Sequence, residues 1–231
     1  MTNIFVPHRR QAPIFHVSDY DWPIENRVLI LGTTGSGKTF LAKRLLDQKF
    51  GEVQIVVYQS KPRVRSFDRL AVPRIATIPD LEKALRHPQQ TPMVIFKPKP
   101  EQASDPETTE AFCKAVFYSK FPTIVYIDEA SHFTRFSWRP DSFFAILETQ
   151  GREMDKGLIM SAQEPKYLPA MVYAESQVII KMYIHGRGNL VAMRDKLPEV
   201  LANAQLPRGE HALVLWDART RDRVYKFRRA V

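Results

Sequence analysis

The stretch Arg27–Leu46, RVLILGTTGSGKTFLAKRLL, decides the fold. An apolar run breaks into a loop of Gly, Thr and Ser, passes through Lys-Thr, and enters a segment with helical spacing. Gly32, Thr33, Thr34, Gly35, Ser36, Gly37, Lys38 and Thr39 match G-x-x-x-x-G-K-[ST] in the required context, after a predicted strand and at the opening of a predicted helix. The glycines let the backbone curl into a nest whose N–H groups point at one anion, and the helix N-terminus adds partial positive charge. Lys38 is placed to reach the β and γ phosphates of a nucleotide, and the Thr39 hydroxyl to bind Mg²⁺. Phe40, next in the chain, completes the nucleotide-binding set. ATP and Mg²⁺ are the expected cofactors.

Outward from this loop, apolar runs alternate with helical stretches. VLILG (28–32), VQIVVY (53–58), PMVIFK (92–97), TIVYID (123–128), GLIMSAQ (157–163) and QVIIKMYI (177–184) lack clean alternation, as strands buried on both faces of a parallel sheet do. Between them KTFLAKRLLDQ, PDLEKALRH, PETTEAFCKAVFYSK and RPDSFFAILETQGREM carry helical spacing, several with Pro or Asp in the first turn. The pattern predicts an α/β domain with a mainly parallel central sheet flanked by helices. Residues 1–26 read as an irregular N-terminal arm, and 27–231 as one domain ending in an antiparallel hairpin at about 210–229, around the polar turn DARTRD. The Pro-rich segment 97–109 reads as a surface loop.

The run TIVYIDEA ends in Asp128 and Glu129 at a strand's C-terminal end, the edge where open α/β sheets bind ligands. Beside a phosphate loop, Asp128 is the expected partner of the Mg²⁺ shell, and Glu129 the group that orients and deprotonates an attacking water. A helix N-cap followed by a first-turn carboxylate is the structural alternative. A carboxylate next to the metal-binding Asp favours water over another acceptor, hence hydrolysis over transfer.

A net charge of +9 leaves room for a polyanionic partner without requiring one. The single cysteine, Cys113, excludes an internal disulfide and a thiolate cluster, and its apolar neighbours at helical spacing place it in the core. The six histidines show no metal-ligand spacing. No apolar run approaches the ~18 residues that span a bilayer, and no signal-peptide pattern opens the chain, so a cytoplasmic protein without an integral membrane segment is expected.

Downstream, ILETQGREMDKGLIMSAQEPKYLP (146–169) fits a G-R-x-x-x-x-G-[apolar]-x-[apolar]-[ST]-x-Q pattern through Gly151, Arg152, Gly157 and Gln163. Together with the loop and the acidic pair, it resembles the FtsK/HerA superfamily of P-loop ATPases, the DNA pumps of chromosome segregation, conjugation and virus genome packaging. The resemblance spans roughly residues 27–217 and implies a RecA-like fold. It implies that Gln163 senses the γ-phosphate, and that Arg152 is an arginine finger reaching a neighbouring subunit's nucleotide. A permanently charged donor fork suits charge developing on a transferred phosphoryl group. The structural alternatives are a packed polar residue for Gln163 and a helix-end Arg for Arg152.

A finger acting in trans implies a ring, typically a hexamer threading double-stranded DNA. The compact size is most like the small packaging ATPases of tailless, membrane-containing viruses, working in the host cytoplasm or on the virion, with capsid or vertex proteins as docking partners. A conjugation- or segregation-type pump, a zonula occludens toxin-like phage assembly factor and a slow nucleotide switch are the competing readings. Candidate basic DNA contacts are Lys61, Arg63, Arg65, Arg135, Arg139, His185 and Arg187, and solvated surface charge is the commoner explanation for each. Phe136 and Trp138 could stack on a base or sugar, with packing the alternative. The Arg-dense tail 219–229 reads as a charged edge strand.

Overall fold

A computed structural model describes residues 20, 22–61, 64–134, 139–208, 213–220 and 224–227, with the side chains of 65, 66, 220 and 224–227 outside that description. Among the described residues, nine strands form one sheet: β1 Arg27–Leu31, β2 Gln54–Tyr58, β3 Arg74–Ile75, β4 Met93–Phe96, β5 Thr123–Ile127, β6 Lys156–Ala162, β7 Val178–Lys181, β8 Leu213–Asp217 and β9 Val224–Phe227. Their order is β3-β4-β2-β5-β6-β1-β7-β8-β9. All pairs from β3 through β7 are parallel, and β7–β8 and β8–β9 are antiparallel. The helices are α1 Lys38–Lys49, α2 Arg65–Asp68, α3 Ile78–Leu85, α4 Pro106–Phe117, α5 Ser131–Thr134, α6 Phe143–Gln150, α7 Ala170–Glu175, α8 Arg187–Lys196 and α9 Glu199–Ala202.

The unbroken apolar runs have the expected cause. Val28 and Ile30 of β1 face one core with Leu41, Leu45 and Leu46 of α1, whereas Leu29 and Leu31 face a second core with α3, α4, α6 and α7. Strand periodicity of two sends neighbours to opposite faces, so a strand covered on both sides must be apolar at every position. Cys113 lies in the second core, fully buried.

The sheet has one strand more than the sequence suggests, because β3 is a two-residue edge strand, too short to leave a periodic signal. Residues 97–109 are not all loop: Asp105 caps α4, accepting from the Thr108 N–H at 2.9 Å, and Pro106 takes the first helical position. Ser142 caps α6, so Pro140 and Asp141 stand outside it, and residues 151–154 tighten into a 3₁₀ turn. The hairpin is present as β8 and β9, while part of its connection lies outside the described residues. Most of the N-terminal arm also lies outside them. Its end packs on the domain: Trp22 is fully buried and donates to Gln48 Oε1 at 3.0 Å, and Tyr20 donates to Asp217 Oδ2 at 2.5 Å.

At the sheet's opposite edge from the phosphate loop, Arg27 opens β1 yet is fully buried. Its guanidinium donates to the carbonyls of Glu148, Leu147 and Glu25 at 2.7, 2.8 and 2.6 Å, closing the C-terminal end of α6. A Cβ on Gly151 would lie 3.0 Å from Arg27 Nη2, and one on Gly157 would lie inside the Ile24 carbonyl, so both motif glycines make room for buried neighbours. Glu148 is buried 3.9 Å from Arg27 Nε, too far for a hydrogen bond, and burial pushes its carboxyl up to about 8 from 4.5.

The folded protein therefore keeps the Glu148 proton that the unfolded chain releases. That stability is fully present below the unfolded value and is lost as pH rises towards 8. Glu148→Gln, which cannot ionise, is expected to flatten the fall in melting temperature between about pH 5 and 8 and to exceed the parent at pH 8. Parallel calorimetric pH profiles for the two proteins would refute this.

Candidate functional site

The site follows from strand order. β6 lies between β5 and β1, with Ile127 opposite Met160 and Leu31 opposite Ala162. Residues just past the three C-terminal ends are therefore neighbours: Asp128 and Glu129 after β5, Gln163 after β6, and the phosphate loop after β1.

The loop is pinned from both sides, Gly32 N–H donating to the Ala162 carbonyl at 3.1 Å and Thr33 N–H to that of Tyr183 at 2.9 Å. Gly35 and Gly37 sit at φ 79° and 101°, left-handed backbone that favours glycine. Gly32 has no room for a side chain, since a Cβ would lie 2.5 Å from Ser36 Oγ and 2.9 Å from Met182 Cβ. Gly37 caps α1 with no side-chain hydrogen bond, which leaves the first-turn N–H groups to an anion. Phe40 points outward, 41% exposed, with Arg44 over its ring at 5.3 Å.

Lys38 is buried and donates to the carbonyls of Gly32 and Thr33 at 2.6 and 2.9 Å, folded back along the loop it serves. Burial pushes its ammonium down to about 8, with Lys61 adding to the depression and Glu129 and Asp128 opposing it.

Asp128 is nearly inaccessible and held on three sides. Its Oδ1 accepts from Thr39 Oγ1 at 3.3 Å and from the Tyr126 hydroxyl at 3.2 Å, and its carbonyl accepts from Ser161 Oγ. Its Oδ2 lies 3.2 Å from Lys61 Nζ as an ion pair. Glu129 is buried as well: Oε1 accepts from Ser131 Oγ at 2.8 Å and the Gln163 N–H at 3.1 Å, while Oε2 has no hydrogen-bond partner among the described residues. Gln163 Oε1 accepts from Thr34 Oγ1 at 2.6 Å, which turns its side-chain amide N–H groups away from Thr34.

These residues fit ATP and Mg²⁺ on their own geometry. The nest and free helix N-terminus suit phosphates, and Thr39 and Asp128, 3.3 Å apart, are oxygen donors suited to Mg²⁺. The unpartnered Glu129 oxygen is a ready acceptor for water.

Arg152 is elsewhere. It lies exposed before β6, whereas Gln163 follows that strand's far end. At strand rise, the length of Lys156–Ala162 separates the two edges by about 20 Å. Arg152 cannot reach its own chain's phosphates.

Among the proposed DNA contacts, Lys61 sits on Asp128, Arg139 is exposed 3.8 Å from Asp141, and His185 and Arg187 are exposed beyond β7. Arg63, Arg135, Phe136, Trp138, the Arg65 side chain and the side chains of the basic tail beyond Arg219 lie outside the described residues.

Tyr126, Ser161, Ser131 and Lys61 were not singled out from sequence as parts of this site. Tyr126 had a signal: two residues before Asp128 on one strand, it must share its face. Ser161 and Lys61 meet Asp128 only through strand pairing.

No protein-family model and no curated protein sequence matches the chain. Solved structures do. The genome-packaging NTPase B204 of Sulfolobus turreted icosahedral virus 2, in complex with ATPγS, superposes with a TM-score of 0.70 at 16% identity, over 89% of this chain and 98% of B204. The chain shares the fold of B204. VirB4 of Thermoanaerobacter pseudethanolicus is similar at a TM-score of 0.63 and 10% identity, over 94% and 93% of the two chains. The pCW3 conjugation coupling protein TcpA, with ATPγS, gives 0.54 at 14% identity, over 88% of this chain and 59% of its own. The expected architecture, a mainly parallel sheet flanked by helices, is thus shared with these solved structures.

Removing the Tyr126 hydroxyl tests the support of Asp128. Tyr126→Phe is expected to lower stability by about 1 kcal/mol and to raise the Mg²⁺ concentration that half-saturates hydrolysis several-fold. An unchanged Mg²⁺ requirement would show that Tyr126 only packs.

Proposed function

We propose that the protein is an ATP-hydrolysing translocase of double-stranded DNA that packages a viral genome into a preformed capsid as a hexameric ring. The observation that carries the reading is the buried Glu129, one oxygen held and the other free, beside the Asp128–Thr39 pair. Whole-length likeness to B204 directs it towards packaging.

The residues take complementary parts. Lys38 exchanges the loop carbonyls for β and γ phosphate oxygens, and Thr39 and Asp128 hold the cation. Bound Mg²⁺ supplies charge neutralisation at the phosphates. Glu129 Oε2 orients a water and takes its proton, while Oε1 stays tied to Ser131 and Gln163. The Gln163 amide, oriented by Thr34, donates to the γ-phosphate. Because Arg152 lies at the opposite edge, its charge serves the site of the next copy around the ring. DNA contacts are to phosphates, because a pump of arbitrary sequence cannot depend on base edges. Host cytoplasm or virion is the expected setting, with capsid or vertex proteins as docking partners. The likeness to the conjugation coupling protein TcpA favours a conjugation-type pump as the second reading.

ATPase activity should rise with double-stranded DNA, and the stimulation should fall as salt rises; hydrolysis indifferent to DNA at every salt concentration would refute translocation. Glu129→Gln should bind ATP yet hydrolyse it about a hundredfold or more slowly, whereas Lys38→Ala should not bind it. In mixed rings of Arg152→Ala and Lys38→Ala subunits, activity should partly return, because an intact site then meets an intact neighbouring Arg152. Mixtures as inactive as either variant alone would refute action in trans.

A further inference from the structure

Lys61 has no part in the phosphate-loop pattern, yet its Nζ lies 3.2 Å from Asp128 Oδ2, on the carboxylate whose other oxygen meets Thr39. Two observations show that the contact is built. Tyr58 pairs with Ile127, and the Asp128 N–H donates to the Tyr58 carbonyl at 3.2 Å, which fixes the chain leaving β2 against the acidic pair. The segment that follows is then tied back on itself: Gln59 Nε2 donates to the Lys61 carbonyl at 3.0 Å and to Asp68 Oδ1 at 3.3 Å, and Asp68 Oδ2 accepts from the Val64 N–H at 2.7 Å. Gln59 is buried, so this anchor is not a surface accident.

The Lys61 ammonium stands where positive charge is wanted before a cation arrives. Asp128 is 2% exposed at its side chain, and a buried carboxylate left alone carries a large desolvation cost. Once Mg²⁺ binds the same carboxylate, the local charge reverses and repels Lys61. The Lys61 side chain remains 34% exposed and able to swing on its flexible stem, and a bound nucleotide would bring a new anion, its polyphosphate.

We propose that Lys61 is a second nucleotide-binding lysine: it holds Asp128 in the nucleotide-free protein and transfers to phosphate oxygens when Mg²⁺ and nucleotide occupy the site. Lys61 thereby reports nucleotide state, because its ammonium changes partner while its carbonyl stays bonded to Gln59, which is itself tied to Asp68. The inference rests on the phosphate-loop reading above.

Binding of a fluorescent, non-hydrolysable ATP analogue tests it, titrated with and without Mg²⁺ against the parent, Lys61→Gln, Lys61→Arg, Lys38→Ala and a control, Lys43→Gln, whose lysine pairs with Asp47 on the exposed face of α1. With Mg²⁺, Lys61→Gln should bind about tenfold more weakly, the weight of one charge-assisted hydrogen bond, and Lys61→Arg should stay within about threefold of the parent. Lys43→Gln should not differ. Without nucleotide, Mn²⁺ titrated by electron paramagnetic resonance should bind Lys61→Gln more tightly than the parent, since no ammonium competes for Asp128.

Parent-like analogue affinity in Lys61→Gln, with Lys38→Ala abolishing binding, overturns the role of Lys61 and leaves the phosphate site standing. Unaltered binding in Lys38→Ala overturns both. A lower melting temperature in Lys61→Gln with unchanged analogue and Mn²⁺ affinities reduces Lys61 to a structural ion pair and also overturns the proposal.

Discussion

The insertion of β6 between β1 and β5 is the constraint on which the rest depends. Hydrogen-bonded in parallel to both, it fixes the spacing between the phosphate loop and the acidic pair and supplies its own C-terminal residue to the gap. Ser161 on this strand donates to the Asp128 carbonyl, the Gln163 N–H holds Glu129, and the Ala162 carbonyl holds the loop at Gly32. This strand and the residue after it therefore bond to the loop and to both acidic residues. A slip in its register would misplace all of them together.

The same strand separates two chemistries. At its C-terminal end are the groups we propose to bind nucleotide. At its start the chain emerges from the turn carrying Arg152, and that turn is packed against the buried guanidinium of Arg27, which closes the end of α6. Gly151 and Gly157 are needed there for space, against Arg27 and the Ile24 carbonyl. The G-R-x-x-x-x-G pattern through these glycines thus records two tight packings as well as an arginine. Because β6 is buried along its length and paired on both sides, the distance between the edges is set by its seven residues.

The site also explains how a cluster of charges survives in a poorly solvated place. Lys38 donates to two carbonyls, Asp128 Oδ1 accepts from Thr39 and Tyr126 while Oδ2 has only the Lys61 ion pair, and Glu129 Oε1 accepts from Ser131 and a backbone N–H. Each internal bond stands in for a contact that a ligand would make, so binding becomes an exchange of partners and not a first desolvation. The one oxygen without a partner on Glu129 is where water chemistry is expected.

Much of this was legible in the chain. Strands buried on both faces announce themselves as unbroken apolar runs, so β1, β2, β4, β5, β6 and β7 could be read, as could the loop that Gly35 and Gly37 make possible. β3 could not, being too short to show a period, and the start of α4 at Pro106 was masked by its polar, Pro-rich lead-in. Local sequence determined the loop and the acidic strand end proposed to meet phosphate and metal, because each is contiguous. Only the tertiary structure decided that Lys61 and Ser161 share Asp128, that Thr34 orients Gln163, and that Arg152 stands at the far edge. Those relations are set by strand order, and strand order is fixed by long-range pairing that no short window of sequence contains.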